Sequence, residues 1–278
     1  MFNLMLAPFA ACLVLVGIHA YLGIHVLERG IIFVDLALAQ LAALGAVSAV
    51  LAGFPLHGPQ AYAFSLAFTL AGAVVFSFTR ARKNGVSQEA VIGIAYVVCA
   101  AASVLALEKI PGESQHIKEM LVGNILFVNW RQVMKTLVLY GLIGAFHWRF
   151  RERFMLISAD VRAAERRGIS IRLWDFLFYA SFGVVVTSSV EIAGVLLVFS
   201  FLVIPAFCAA LFARGFSRRL SAGWALGAVT SLGGIYASAR LDLPTGAAIV
   251  CAFGVLAAIC GAVFSITGGA AKAANVIK

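Results

Sequence analysis

Asp35 is an ionisable residue inside an apolar segment of membrane-spanning length. It is the only charged residue between Ile31 and Leu51. A carboxylate at membrane depth is costly, and it is retained where it meets water, a cation or a partner group. Two structural alternatives are a helix-start cap and an ion pair with Arg29. We predict that Asp35 faces a path for cations rather than lipid.

Two further acids lie at the edges of apolar segments. Glu191 precedes the run from 192 to 212, and Asp242 lies in the turn "LDLPTG" before the last apolar run. Acidic groups at the mouth of a path would attract cations electrostatically. Alternatively, either one stabilises the N-terminal end of a helix.

Histidines near acids offer a second kind of metal chemistry. His116 and Glu119 are three residues apart and share one face of a helix, with Glu113 one turn earlier. They form a weak metal-entry site, a surface that meets another protein, or a solvated helix. His25 and Glu28 have the same spacing, and we expect structural pairing between them rather than metal binding. His57 and His147 are given no role.

A charged stretch at the centre of the chain, "LISADVRAAERRGISIRLW", holds two acids and four arginines among small residues. We predict a short helix from Ala159 to Arg167. Asp160 caps its start and Gly168 ends it. Val161 and Ala164 share one face, which leaves a charged rim elsewhere. The stretch is either a solvated loop or a docking helix for a cytoplasmic partner.

Composition identifies the elements that must position these residues. Of the 278 residues, 63% are hydrophobic and only 12% are charged, against about 25% in soluble chains. The mean hydropathy of +1.01 requires several membrane spans. We predict one integral-membrane domain over residues 1–278, with nine spans, or eight if a short one fails to cross. The predicted spans are 6–26, 31–51, 61–79, 90–107, 133–148, 173–190, 192–212, 220–239 and 245–266.

The distribution of Lys and Arg predicts the orientation. With the N-terminus outside, 16 of the 21 basic residues fall on the inner side and 5 on the outer side. The positive-inside rule therefore places the central stretch and the C-terminus in the cytoplasm. It also accounts for the net charge of +9 without nucleic acid.

Several classes of chemistry are not indicated. The five cysteines lie in apolar segments and form no CxxC pair, which argues against a disulfide framework or a cysteine metal site. The sequence contains no GxxxxGK[ST] and no HExxH, so we expect neither ATP hydrolysis nor intramembrane proteolysis in this chain.

The spacing Asp160, Ala164, Gly168 resembles the D-x-x-x-A-x-x-x-G coupling segment of the permease family of ABC importers for zinc, manganese and iron. The turn Asp242, Pro244, Thr245, Gly246 is similar to that family's D-x-P-[ST]-G. The segment "EIAGVLLVFSFLVIPAFCAALFA" looks like its G-x-L-L span, and the matching residues are Gly194, Leu196, Leu197, Leu202, Pro205, Ala206 and Ala209.

The resemblance extends to the second span, where "ALAQLAALG" occupies the place of A-L-S-H-A-x-x-x-G. The family has an Asp and a His four residues apart there, on one helix face. In this sequence Gln40 stands in the place of the His and Asp35 comes one residue early. Five residues correspond to about 140° around a helix, so Asp35 and Gln40 cannot easily bind one ion together. Gln40 is expected to be secondary.

The resemblance implies an all-α, polytopic helical bundle of the type II ABC importer kind, with a coupling segment at about 156–172. It implies a homodimer in a bacterial cell membrane, with Asp35 facing the dimer pore. Cytoplasmic ATP-binding subunits and an extracytoplasmic metal-binding protein would be its partners. The cargo would be a divalent transition metal, and the chain would need no cofactor of its own. The alternative is a secondary transporter or channel for a cation, without an ATPase.

Overall fold

The computed structural model describes residues 2–56, 58–79, 87–110 and 125–267, and over these ranges the chain is helical with no strand. The helices, numbered in chain order, are α1 (Phe2–Arg29), α2 (Val34–Leu51), α3 (Pro59–Thr79), α4 (Gln88–Leu107), a 3₁₀ turn (Ile125–Phe127), α5 (Trp130–Arg149), α6 (Arg151–Ala159), α7 (Val161–Arg166), α8 (Ile171–Ala193), α9 (Val195–Phe212), α10 (Phe216–Leu241) and α11 (Thr245–Ile266).

The nine predicted spans each coincide with one of the long helices of the described ranges, which confirms the all-α membrane bundle. Seven of these helices are long and apolar enough to cross a membrane. The other two, α5 and α10, carry more charge: α5 contains Arg131, Lys135 and Arg149, and α10 contains Arg218, Arg219 and Arg240. A helix of this composition can still cross a membrane when protein covers its polar side.

Contacts between side chains establish the direction of each helix. A Cβ on Gly227 would meet Val16, and one on Gly223 would meet Ala20, so α10 runs antiparallel to α1. Phe76 packs on Tyr179, and Thr69 lies 3.4 Å from Thr187, so α3 and α8 are also antiparallel. The chain therefore alternates in direction. The end of α1 and the start of α8 lie at the end that carries α6 and α7, which we call the α6–α7 end.

Small residues allow the helices to touch at the backbone. A Cβ added to Gly23 in α1 would collide with the backbone carbonyl of Leu202, and one added to Gly45 in α2 would lie 2.7 Å from the carbonyl oxygen of Phe64. Without a hydrophobic drive between helices in lipid, such close approach is what holds a bundle together. Gly45 is the final residue of the second-span motif, so packing accounts for its presence there.

Gly194 is the single residue between α8 and α9, and the chain reverses direction at this point. Its φ of +76° lies in the region that glycine adopts at little cost. This reversal gives the glycine of the G-x-L-L motif a structural explanation.

Candidate functional site

Asp35 lies in the first turn of α2 and is completely buried. Neither of its carboxylate oxygens has a hydrogen-bond partner within the described ranges. The start of α2 has no side-chain cap, and Arg29 forms its ion pair with Asp175 instead. The carboxylate therefore forms no capping hydrogen bond and does not pair with Arg29, whereas its place in the first turn of α2 is one where the helix dipole favours an acid.

Gln40 lies one and a half turns further along α2 and is half-buried, as is Leu36. Asp35 and Gln40 thus occupy different environments, with the carboxylate inside the protomer and the amide partly at its surface. The pairing of both residues on one ion remains disfavoured. The single chain covers this carboxylate on every side, so the described structure does not expose it towards a second copy. That a cation reaches Asp35 stays a prediction.

A second buried carboxylate, Asp175 in α8, has a cation beside it. Nη1 of Arg29 lies 2.8 Å from Oδ1 of Asp175, and both side chains are fully buried. The guanidinium also stacks over the ring of Phe178, with its carbon 3.8 Å from the ring centre. The geometry combines a charge-assisted hydrogen bond with a cation–π contact, so the positive charge is satisfied on two sides.

Ser158, the penultimate residue of α6, joins α6 to this ion pair and to α1. Nε of Arg29 donates to Oγ of Ser158 over 2.9 Å, and Nδ1 of His25 lies 2.8 Å from the same oxygen. The expected pairing of His25 with Glu28 is wrong. His25 points into the protein, whereas Glu28 is exposed and pairs with Arg219 of α10 at 3.4 Å.

His147, near the end of α5, has a structural role that the sequence did not reveal. Its Nε2 lies 2.8 Å from Oγ of Ser181, and its Nδ1 lies 3.2 Å from the hydroxyl of Tyr21. Its ring stacks on Phe154 of α6, with centroids 4.3 Å apart. The α6–α7 end therefore contains a buried polar cluster that connects four helices, α1, α5, α6 and α8.

The central charged stretch forms two helices where one was predicted. The sequence pattern missed α6, and α7 is shorter than expected. The predicted capping residue Asp160 and the predicted stop at Gly168 are confirmed. Asp160 accepts a hydrogen bond from the backbone N–H of Ala163 over 3.0 Å, and Gly168 ends the segment with a φ of +71°.

Ala164 does not belong to an exposed patch. It is fully buried against the core of its own chain, so it seats α7 on the bundle and offers nothing to a partner. The exposed side of α7 carries Arg162, Glu165 and Arg166, and Gly168 is exposed just beyond. The surface left for a partner is therefore the charged rim and not the small-residue face.

The predicted outer acids lie at the opposite end of the bundle. Glu191 is exposed in the last turn of α8. Asp242 is exposed in the turn between α10 and α11 with a left-handed φ of +52°, and Ser238 next to this turn bonds Leu243 and Thr245. This geometry gives Asp242 a turn-forming role whether or not it attracts cations. His116 and Glu119 lie outside the described residues.

The described ranges contain no group of three or more His, Cys, Asp or Glu side chains that could hold a metal ion.

These features define a polytopic helical membrane protein with two short helices packed at one end. Comparison of the sequence with protein families gives a match to the ABC 3 transport family over residues 1–265. The chain belongs to this family.

Several similar proteins are named as membrane proteins of metal transport systems. A "Manganese transport system membrane protein MntC" of Listeria innocua is 26% identical over 183 residues, which span 66% of this chain and 65% of that protein. A "Probable iron transport system membrane protein" of Haemophilus influenzae is 25% identical over 249 residues, 90% and 89% of the two chains. The solved PsaBC from Streptococcus pneumoniae shares the fold, with a TM-score of 0.77, 18% identity, and coverage of 94% and 91%.

Proposed function

We propose that this chain is the membrane-spanning subunit of an ATP-driven importer that moves a divalent transition metal ion into the cytoplasm. The observation that carries the proposal is the family match over residues 1–265. The names of the Listeria and Haemophilus relatives support manganese or iron as the cargo. The chain works as a homodimer, with ATP hydrolysis in a separate cytoplasmic subunit and an extracytoplasmic protein that delivers the metal.

In this proposal α6 and α7 form the contact with the ATP-binding subunit. The cap by Asp160, the buried Ala164 and the left-handed Gly168 fix the shape of the segment, and the exposed arginines supply the surface. The segment lies in the cytoplasm, as the distribution of basic residues predicts. Reporter fusions after Arg167 that are active only outside the cytoplasm would contradict this orientation.

Asp35 is the leading candidate for a group on the cargo path. An ionised carboxylate without a partner is costly to bury, and a passing divalent cation would offset that cost. Glu191 and Asp242 would attract cations at the outer mouth, and Gln40 would contribute a neutral oxygen on the partly exposed side of α2.

The proposal is tested with the chain and its ATP-binding subunit in proteoliposomes that contain ATP. Uptake of radiolabelled Mn²⁺, Zn²⁺ or Fe²⁺ is measured with the delivery protein outside. We expect ATP-dependent accumulation of at least one ion. We also expect its loss in Arg162→Glu, which reverses a charge on the exposed rim of α7. Arg240→Glu, at the far end of the bundle, is the matched control. Uptake that is the same without ATP would favour a secondary transporter.

A further inference from the structure

Ser158 occupies an unusual position, because a single hydroxyl in α6 contacts two different side chains of α1. Oγ of Ser158 accepts from Nε of Arg29 and lies within hydrogen-bond distance of Nδ1 of His25. Ser158 is 5% exposed and His25 is completely buried. In this low-dielectric setting the two hydrogen bonds have no competition from water, and one of them is assisted by the charge of Arg29.

The connection does not stop at α1. Through Arg29 the same cluster reaches Asp175 in α8, with the ion pair at 2.8 Å. Phe178 of α8 lies under the guanidinium and also packs on Phe154 of α6. A displacement of α6 would therefore act directly on both α1 and α8.

The long helices α1 and α8 lead from this cluster into different parts of the bundle. α1 packs on α9 and α10, whereas α8 packs on α2 and α3. The buried cluster therefore connects α6 to both sets of membrane helices, α9 and α10 through α1, and α2 and α3 through α8. A buried polar contact of this kind transmits displacement better than an apolar contact between helices. If the helices slid past one another, buried polar groups would lose their hydrogen bonds.

We propose that Ser158, Arg29 and Asp175 are positioning residues that transmit the movement of α6 to α1 and α8 during transport. This inference rests on the proposed function, since the movement comes from the ATP-binding subunit. Neither Ser158 nor Asp175 touches that subunit or the cargo in this scheme, because both are buried within the chain. They act by making the α6 segment and the membrane helices move as one body.

The test is Ser158→Ala, which removes one oxygen atom and leaves the Arg29–Asp175 pair in place. The matched control is Ser181→Ala. It removes a hydroxyl 2.8 Å from His147 at the same end of the bundle. That hydrogen bond joins α5 to α8, and the stack of His147 on Phe154 of α6 is kept. Both variants are purified with the ATP-binding subunit and placed in proteoliposomes. Uptake of radiolabelled Mn²⁺, Zn²⁺ and Fe²⁺ and the rate of ATP hydrolysis are measured on the same preparation.

We expect Ser158→Ala to assemble and to hydrolyse ATP at the unmodified rate, while metal transported per ATP falls by roughly ten-fold or more. This is the scale of a lost hydrogen bond to a charged group. Ser181→Ala should keep the unmodified ratio. Ser158→Thr, which retains the hydroxyl, should keep a substantial part of the metal transported per ATP.

Two results would overturn the inference. One is an unchanged transport-to-hydrolysis ratio in Ser158→Ala. The other is dissociation of the complex, which would mean that the cluster only shapes the docking surface. Failure of the proposed function gives a different result, because the unmodified chain would then show no ATP-dependent uptake at all.

Discussion

Asp35 and Asp175 are both completely buried near the same end of the bundle, yet their surroundings are opposite. Asp175 has the guanidinium of Arg29 at 2.8 Å, whereas Asp35 has no hydrogen-bond partner within the described ranges. A buried charge with a matched cation is part of the scaffold. One without a cation is a cost that the fold tolerates for some other reason. This difference is why we place Asp175 in the buried scaffold that connects α1, α6 and α8, and propose Asp35 as the group that meets the cargo.

The largest expected effect concerns the paired carboxylate. Asp175→Leu removes the carboxylate that lies 2.8 Å from the buried guanidinium of Arg29. We expect a loss of about 3–5 kcal/mol in the free energy of unfolding. Thermal unfolding of the purified chain in detergent would measure it. The double variant Arg29→Met with Asp175→Leu should recover much of the loss, since neither member of this ion pair is then left without the other. A stable single variant would contradict the structural role of Asp175.

The second prediction concerns the two polar residues of α2. Gln40→Ala removes a neutral oxygen on the half-buried side of the helix, so metal uptake should fall by only a few-fold, which corresponds to about 0.5–1 kcal/mol. Unfolding should be nearly unchanged. Uptake in cells that lack the native gene, corrected for protein level, checks this. If Gln40→Ala abolished uptake, the pore would lie on the Gln40 side of α2, and the assignment of Asp35 would be wrong.

The smallest effect is expected at the surface ion pair between Glu28 and Arg219. Their side chains are 28% and 30% exposed and their charged atoms are 3.4 Å apart. Pairs near water contribute about 0–1 kcal/mol, so Glu28→Gln should barely change unfolding. Salt titration of the thermal midpoint gives a second measurement, because such a pair is screened. If Glu28→Gln lowered the free energy of unfolding as much as Asp175→Leu, the exposed Glu28–Arg219 pair would be as important for stability as the buried Arg29–Asp175 pair, which would contradict the account.

The sequence predicted the bundle well because membrane spans are long and apolar, and their signal is local. It also predicted the capping Asp160 and the terminal Gly168 of α7, because both act within one turn of the helix. The short helix α6 was missed, since nine residues of mixed polarity carry no comparable signal.

The buried cluster could not be read from local patterns. Arg29 and Asp175 are 146 positions apart, and Ser158 and His25 are 133 apart. The available signal was that Asp175, like Arg29, is an ionisable residue in or beside an apolar segment, with the opposite charge and at the same predicted membrane depth. Matching acidic and basic residues at the same predicted membrane depth would have paired Arg29 with Asp175 and not with Asp35.

The central claim is that Asp35 is left without a partner so that a cation can use it. Asp35→Asn keeps the shape of the side chain and removes its charge. The account predicts that ATP-driven metal uptake in proteoliposomes falls by more than about ten-fold, equivalent to about 1.4 kcal/mol, while the unfolding temperature is unchanged or higher because a buried charge is gone. An Asp35→Asn chain that transports metal at the unmodified rate would contradict the account.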